Sequence, residues 1–474
     1  MRRVAVVGGG WAGLAAAVEA VAQGMEVTVF EASRHWGGRA RRLELPLPKS
    51  DTGSISALGE SQSSSIAVDN GQHIQIGAYT ATLQLMARVG VKLDEALHAM
   101  PLALPFPDGS GLACPQWARR WPAPLDTLAT IAQARGWTWA DRWAFVKVAT
   151  NWRLRGFRCS PTLTVQALCN DLPRRVVDDL IDPLCVAALN TPADQASAQV
   201  FLRVLRDALL GEGYGPWRSA DLLLPRQDLG QLLPDAAVAW LTERGAHLHL
   251  GARITALRAT AEGRWALHGT PPPANAHDGP ETLFDDVVLA CPPRHAAAVL
   301  TTLRQTPAWT EALQGWCDQA QAFEYEAIGT VYAWATGAPW PQPHPMLALR
   351  GSPAQFVFDR GQLGGPTGLL AFVASAWSGT VQDLETQVRQ QAQQQLGLTD
   401  LNILGTVVEK QATFACTPGL RRPGLNLASG LWAGGDAIEG PYPATLEGAV
   451  RSGQAAVRAL AATQTLRAAS FNAR

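Results

Sequence analysis

The chain opens on a change of hydrophobic period. Val4 to Val7 is an unbroken apolar run, as expected of a strand covered on both faces. Gly8-Gly9-Gly10 then makes a turn. Trp11 to Gln23 is rich in helix formers, and Gly24 stands where a helix C-cap glycine belongs. Val27 to Phe30 is a second continuous apolar run. The pattern predicts strand, helix and strand in a βαβ unit. Lys49 to Ser65 is rich in Ser and Gly and lacks apolar periodicity, which predicts a surface loop. Val68 to Ile76 reads as a strand and Tyr79 to Val89 as a helix.

Residues 100 to 225 read as mostly helical, with many Trp and Leu, and Asp228 to Arg244 as helical again. His247 to Leu257 and Trp265 to His268 read as strands, Pro271 to Thr282 as a loop and Asp286 to Ala290 as a buried strand. The region 320 to 378 alternates apolar and polar residues, as in an antiparallel sheet. Leu431 to Ala433 is a last short strand and Ala444 to Ala461 a last helix. No internal repeat appears. The fold class is therefore α/β. One domain is discontinuous, built from 1–80, 221–300 and 405–474. A second domain of antiparallel sheet plus helices takes 81–220 and 301–404, with a helical cap.

Composition narrows the class. Of 474 residues, 47% are hydrophobic and 17% charged, enough for a large core and too few charges for a disordered chain. The formal net charge of −1 sets up no global field for nucleic acid. Seven cysteines, with no CxxC pair, argue against a disulfide framework or a structural zinc site, and no metal is expected. They read as reduced packing residues of a cytoplasmic protein. Met1-Arg2-Arg3 and the Ala-rich run after it look like a secretory leader, but three spaced glycines and Glu19 interrupt that run. No apolar stretch reaches the ~18–20 residues of a spanning helix.

Gly8, Gly10 and Gly13 form G-x-G-x-x-G between the first strand and helix. The first glycine allows a tight turn, the second lets backbone approach a pyrophosphate, and the third lets helix pack on strand. Glu31 closes the second strand, where a carboxylate can accept from ribose hydroxyls. This is a Rossmann-like dinucleotide signature, and alone it does not separate NAD from FAD. Gly37-Gly38-Arg39 follows, with a guanidinium in reach of a diphosphate.

Near the other end stand Leu431-Trp432-Ala433-Gly434-Gly435-Asp436 and Pro443-Ala444-Thr445-Leu446-Glu447-Gly448-Ala449. Together they resemble the second flavin fingerprint of the amine oxidase and phytoene desaturase superfamily. The resemblance implies an FAD domain of that superfamily's type. It implies that Asp436 holds the ribityl chain. It also implies that the helix starting near Thr445 points its N-terminus at the flavin's pyrimidine edge, favouring negative charge there. Gly251-Ala252-Arg253-Ile254 and the run 286–293 resemble the superfamily's third contribution, with the backbone near Ile254 touching adenine. The candidate cofactor residues are Gly8, Gly10, Ala12, Gly13, Glu31, Ala32, Gly38, Arg39, Ile254, Gly435, Asp436, Thr445 and Leu446. No Cys or His lies between Gly435 and Gly448, so FAD is expected to bind noncovalently. No second G-x-G-x-x-G appears. A nicotinamide reductant, NAD(P)H, then reacts transiently at the flavin, or another donor serves.

Asp69-Asn70-Gly71-Gln72-His73 with Gly77-Ala78-Tyr79 resembles plant-type carotene desaturases and, more closely, the hydroxysqualene dehydroxylase family of bacterial hopanoid synthesis. The stretches from Pro183 to Pro192 with Ala196-Ser197-Ala198, and from Glu409 to Gly419, agree with this, and the likeness spans nearly the whole chain. The insert 49–65 is longer than the family pattern, and Gln411 stands where it has a basic residue. The implied reaction removes the allylic hydroxyl of hydroxysqualene as water and delivers hydride to give squalene. It needs a proton donor near the hydroxyl. A carotenoid-type desaturase and an amine oxidase are the alternatives, and a non-catalytic flavin or lipid binder is a third.

His73 is the candidate catalytic residue, as proton donor or in orienting substrate; a core histidine bonded to backbone is the plainer reading. Asp69 reads as structural, Asn190 and Tyr79 as weaker pocket candidates, and Cys185 and Cys416 as packing residues. Residues 115–158 carry Trp117, Trp121, Trp137, Trp139, Trp143 and Trp152. They also hold eight basic residues against Asp126 and Asp141. This composition suits peripheral contact with the inner face of a membrane, or else a helical cap with its Trp residues packed inward. Contact with upstream squalene-pathway enzymes is the other expected partnership.

Overall fold

The continuous apolar runs at the start form the central strands of a parallel sheet. The computed structural model describes residues 1–47, 65–119, 121, 125–270, 282–335 and 340–472. Strand β1 (Arg3–Val7) lies between β2 (Glu26–Glu31) and the strand Asp286–Leu289, with Val6 opposite Val29 on one side and Val288 on the other. The full order is 247–250, 26–31, 3–7, 286–289, 431–433 and 426–428. All but the last edge strand run parallel. Both faces of β1 are covered, so its side chains need not alternate.

Helix α1 (Trp11–Ala22) packs on one face of this sheet, beneath the C-terminal helix Leu446–Asn472 and the helix Pro234–Glu243. Covered on nearly all sides, it can be apolar almost throughout. Leu14 and Val18 are fully buried, and each contributes roughly 1.5–3 kcal/mol. A Cβ on Gly453 would meet the Ala12 carbonyl oxygen at 2.1 Å, so the two helices cross backbone to backbone. The opposite face carries helices Pro293–Leu300 and Glu311–Gln321 with the three-stranded sheet 254–259, 265–269 and 283–284.

The alternating region forms a five-stranded antiparallel sheet, in the order 346–348, 356–359, 369–375, 325–334 and 402–414. One face, with Val331, Ala333 and Phe372, packs on Leu384 and Val388 of the helix Val381–Leu396. The other face, with Tyr332, Phe358 and Val373, joins the core shared with the helical region. The segment boundary expected between 404 and 405 falls inside the strand Asn402–Phe414. That strand pairs along its length with Tyr325–Trp334. The correction is that residues 405–414 belong to the antiparallel sheet; their alternation is interrupted by two register shifts, which hides the strand's extent in the sequence.

Other differences are smaller. Between 100 and 225 the helices are accompanied by the hairpin Ala103–Pro105 with Gly111–Ala113 and by the strand Leu222–Pro225. The stretch expected as one strand from Val68 to Ile76 is two, Ser65–Asp69 and Gln75–Ile76, broken at Gly71, whose φ is +90°. The last helix runs on to Asn472. The loops expected at 49–65 and 271–282 lie outside the described residues except at their last positions; Ser65 already begins a strand.

Candidate functional site

The C-terminal ends of the parallel strands open onto a cavity of about 690 Å³. Ligands of open α/β sheets bind at that end. Its floor is the turn after β1, where the glycines have different reasons. Gly8 has φ +116°, and a Cβ there would lie 2.5 Å from the Ala290 carbonyl oxygen. A Cβ on Gly13 would lie 1.9 Å from the Gly8 carbonyl oxygen, so this residue lets helix touch strand. An added Cβ on Gly10 meets nothing closer than 3.7 Å. The protein's own packing therefore does not require glycine there, and the position is left open toward the cavity. Gly10 is the N-cap of α1, and no acidic side chain lies in the first turn. The free N–H groups and the positive end of the helix dipole are left for an anion.

Charged groups surround this turn, each already engaged. Glu31 accepts from the Gly9 N–H at 2.6 Å and from the Ser33 N–H at 2.7 Å, which braces the turn against the end of β2. Arg39 forms an ion pair with Asp436 and donates to the Ala412 carbonyl oxygen at 2.8 Å. Burial works against its charge, but the Asp436 carboxylate outweighs this and raises its pKa. Gly435, with φ +150°, donates its N–H to Ser452 Oγ at 2.8 Å. Thr445 Oγ1 accepts from the Gly448 N–H at 3.0 Å and so caps the C-terminal helix, which begins at Leu446.

Of the residues expected at the site, Gly8, Gly10, Ala12, Glu31, Ala32, Gly38, Arg39, His73, Ile254, Gly435, Asp436, Thr445 and Leu446 line this one cavity. Gly13 does not; it sits behind the turn. The facing wall is apolar and comes from Ile328, Phe356, Phe358 and Val373 of the antiparallel sheet and from Val186 to Leu189 of the helix Asp182–Leu189.

His73 stands on the cavity wall with Nδ1 2.6 Å from the Gly71 carbonyl oxygen. Burial lowers its pKa, and the nearby Arg39 charge adds to this. The imidazole is then neutral, with Nδ1–H donating to Gly71 and Nε2 left as an acceptor. That suits orienting a hydroxyl better than protonating it. Beside it, Gln72 is 8% exposed, lines the cavity, and has no hydrogen-bond partner for either amide atom among the described residues. A buried amide of this kind carries a desolvation cost that a bound ligand can relieve. Sequence reasoning favours His73 in this run and passes over Gln72, because nothing in its spacing marks it.

The remaining candidates are anchored structurally. Asp69 is buried; its Oδ1 accepts from the Leu229 N–H at 2.7 Å, and Tyr332 donates to its carbonyl oxygen. Burial pushes its carboxyl up to about 6. Asn190, in the left-handed region at φ +46°, donates to Thr413 Oγ1 and accepts from the Ala376 N–H. Tyr79 lines the cavity, and burial raises its pKa, so the phenol stays protonated. Cys185 and Cys416 are buried thiols whose pKa is raised by burial. Glu447, which the fingerprint run contains without a role of its own, is fully buried and accepts from the Ala81 and Thr82 N–H groups, capping the helix Thr80–Arg88 from the C-terminal helix.

Residues 11–461 match the sequence model of the family described as flavin containing amine oxidoreductase. The chain belongs to this family. Its flavin chemistry and its α/β fold with a separate antiparallel sheet follow from that membership. Two similar proteins, both named hydroxysqualene dehydroxylase, are 27% identical. That of Rhodopseudomonas palustris aligns over 96% of this chain and 97% of its own, and that of Sinorhizobium fredii over 98% and 100%. Among solved structures, an oxidoreductase from Methanosarcina mazei superposes with a TM-score of 0.67 at 15% identity, covering 96% of this chain and all of the other. Putrescine oxidase bound to putrescine superposes with 0.64 at 14% identity, over 97% and 99%. Likeness at that level of identity is a likeness of fold. Among the described residues no helix is long and apolar enough to cross a membrane.

Proposed function

We propose that this flavoprotein is a reductive dehydroxylase that converts hydroxysqualene to squalene with noncovalent FAD. The observation that carries the reading is the cavity's division. One side is a charged and glycine-lined cradle; the other is apolar, with Gln72 and His73 between. The reading is further supported by the two near-full-length relatives of that name. A protonated amine is stabilised by a carboxylate that is not otherwise engaged, or by aromatic faces. The three carboxylates in the wall are engaged instead: Glu31 by backbone N–H groups, Asp436 by Arg39, and Glu409 by Asn70 and the Gln411 N–H. A long hydrocarbon with one hydroxyl matches an apolar wall with one polar spot.

The residues present fit FAD. The space beside Gly10 that a Cβ would fill, the uncompensated N-terminus of α1 and the carboxylate of Glu31 suit pyrophosphate and ribose. Ala12, Ala32, Gly38, Arg39, Ile254, Gly435, Asp436, Thr445 and Leu446 would complete the cradle. When bound, FAD supplies the two-electron hydride chemistry, replenished by NAD(P)H or another donor. The chain's own part is to orient and exclude. His73 Nε2 would accept from the substrate hydroxyl, and the Gln72 amide would donate to its oxygen. The hydroxyl would leave as water with one proton drawn from solvent at the pocket, and FAD when bound would supply the hydride that turns the remaining allylic group into the hydrocarbon. The apolar wall keeps bulk water from capturing that group.

Anaerobic incubation of the purified flavoprotein with hydroxysqualene and a chemical reductant tests this. Squalene should accumulate in step with substrate loss. Unchanged hydroxysqualene there, together with oxygen consumption on an amine or a polyene in a separate aerobic assay, would overturn the reading in favour of an amine oxidase or a desaturase.

A further inference from the structure

Helix Trp139–Leu154 has an apolar face it does not bury. Its inner side is normal: Trp152 is buried in the core of the helical region, with Phe145 and Val148 packed against that core. Its outer side is not. Trp139, Trp143 and Leu154 are 67%, 70% and 82% exposed. The 3.6-residue period puts these three, with Thr150 and Lys147, in one arc of roughly 80°. The adjoining segments continue the pattern. Trp117 and Trp121 stack edge to face with ring centroids 4.9 Å apart, and Leu125 and Leu128 are exposed on the next helix, Leu125–Ala132. That helix packs both on the Trp117 turn and on Trp139–Leu154. Among the described residues, most exposed large hydrophobic side chains fall in this stretch. A soluble surface of this size rarely carries so many without a partner.

The charges around this face have one sign. Arg119, Arg135, Lys147, Arg153, Arg155 and Arg158 are exposed, and none forms an ion pair among the described residues. The two acidic residues are spent elsewhere: Asp126 pairs with Arg218 at 2.8 Å, and Asp141 closes the capping box with Thr138. Arg142 lies over the Trp139 ring at 4.7 Å.

We infer that this face docks on an anionic lipid bilayer, Trp and Leu side chains at the headgroup boundary and the basic residues against acidic headgroups. Indole rings favour that boundary, and each basic residue near an anionic surface adds to the attraction. A second copy of this chain, related by a two-fold axis, would instead set Arg153, Arg155 and Lys147 against their own like charges. The helix lies flat, since its 16 residues are too few to span and its inner side is packed on the core of the helical region. The inference stands on the surface alone and goes beyond the proposed reaction. That reaction gives it a use: the helical layer beneath runs through Arg174–Val176 to the helix Asp182–Leu189, whose last turn walls the cavity.

Flotation of the flavin-loaded protein with phosphatidylglycerol–phosphatidylcholine vesicles tests it. Wild type should float at low salt, less at high salt, and stay down with phosphatidylcholine alone. Arg153→Glu with Arg155→Glu, and separately Trp139→Ser with Trp143→Ser, should each lower apparent vesicle affinity by at least about tenfold while keeping full flavin absorbance. Should a variant lose its flavin, quenching of wild-type Trp fluorescence by brominated lipid reads the same contact. The inference is overturned if wild type stays down with anionic vesicles or floats equally with neutral ones. It is also overturned if sedimentation reveals a dimer that Trp139→Ser with Trp143→Ser dissociates. Flotation needs no turnover, so its failure leaves the dehydroxylation test standing, and the reverse.

Discussion

The two walls of the cavity are built on different principles. The wall around the turn after β1 is made of backbone and of charges that already hold one another. Glu31 is held by two N–H groups, Arg39 by Asp436, Gly435 by Ser452. Such a wall is rigid before anything binds, and preorganisation lowers the entropy that binding costs. The opposite wall is apolar, with a polar spot whose amide is unsatisfied. It gains its hydrogen bonds only when a ligand arrives. Cofactor retention should therefore depend on the first wall and selectivity on the second.

The sharpest way to break this contrast is Gly10→Val. Nothing in the protein crowds that position, so the variant should fold and lose essentially all FAD, read by flavin absorbance after gel filtration. Full flavin content in a folded variant would mean that the pyrophosphate does not pass there. On the other wall, His73→Ala should lower turnover by more than about tenfold with flavin content near normal. Gln72→Leu should act on the same side, raising KM for an alcohol substrate more than it lowers kcat. If either variant loses flavin while retaining the protein fold, the division between walls is wrong.

Glu31→Gln should be milder. A neutral amide keeps one acceptor but turns an N–H group toward an N–H donor, so FAD affinity should fall by roughly tenfold, measured by flavin fluorescence on titration. An unchanged affinity would remove Glu31 from the site. Asp69→Asn should affect the site least and stability alone. Its carboxyl titrates near 6 when folded against 3.8 as the ordinary value. The folded state thus binds the proton more tightly, and wild-type stability falls as pH rises from about 4 to about 6. The cost is on the order of 3 kcal/mol above that window and absent below it. Asparagine keeps the acceptor for the Leu229 N–H and carries no charge, so denaturation of the variant should lack this pH dependence. Parallel profiles for both proteins would show that the Asp69 carboxyl is not desolvated.

Much of the first wall is legible in the chain itself. The glycine turn, α1, the end of β2 and the capped start of the C-terminal helix are local events, and their spacing reports them directly: Gly8, Gly10, Gly13 and Glu31 lie within one βαβ unit. The antiparallel sheet is also visible: β-branched and aromatic residues mark its strands even though both faces are covered, one by Leu384 and Val388 and the other by the helical region, which leaves only partial alternation. Its last strand is misjudged at 404/405 because register shifts break that alternation.

What the tertiary structure alone decided are the meetings. Arg39 and Asp436 pair across most of the chain's length, and Glu447 caps a helix that begins at Thr80. Neither contact has a period or a spacing to betray it. Gln72 looks like any amide until its neighbours leave it buried without a partner. The same holds for the tryptophans of 115–158. Composition counted them, but only packing sorted Trp137 and Trp152 inward and Trp139 and Trp143 outward. Local backbone chemistry is written in adjacent residues; burial is a property of what the rest of the chain brings to them.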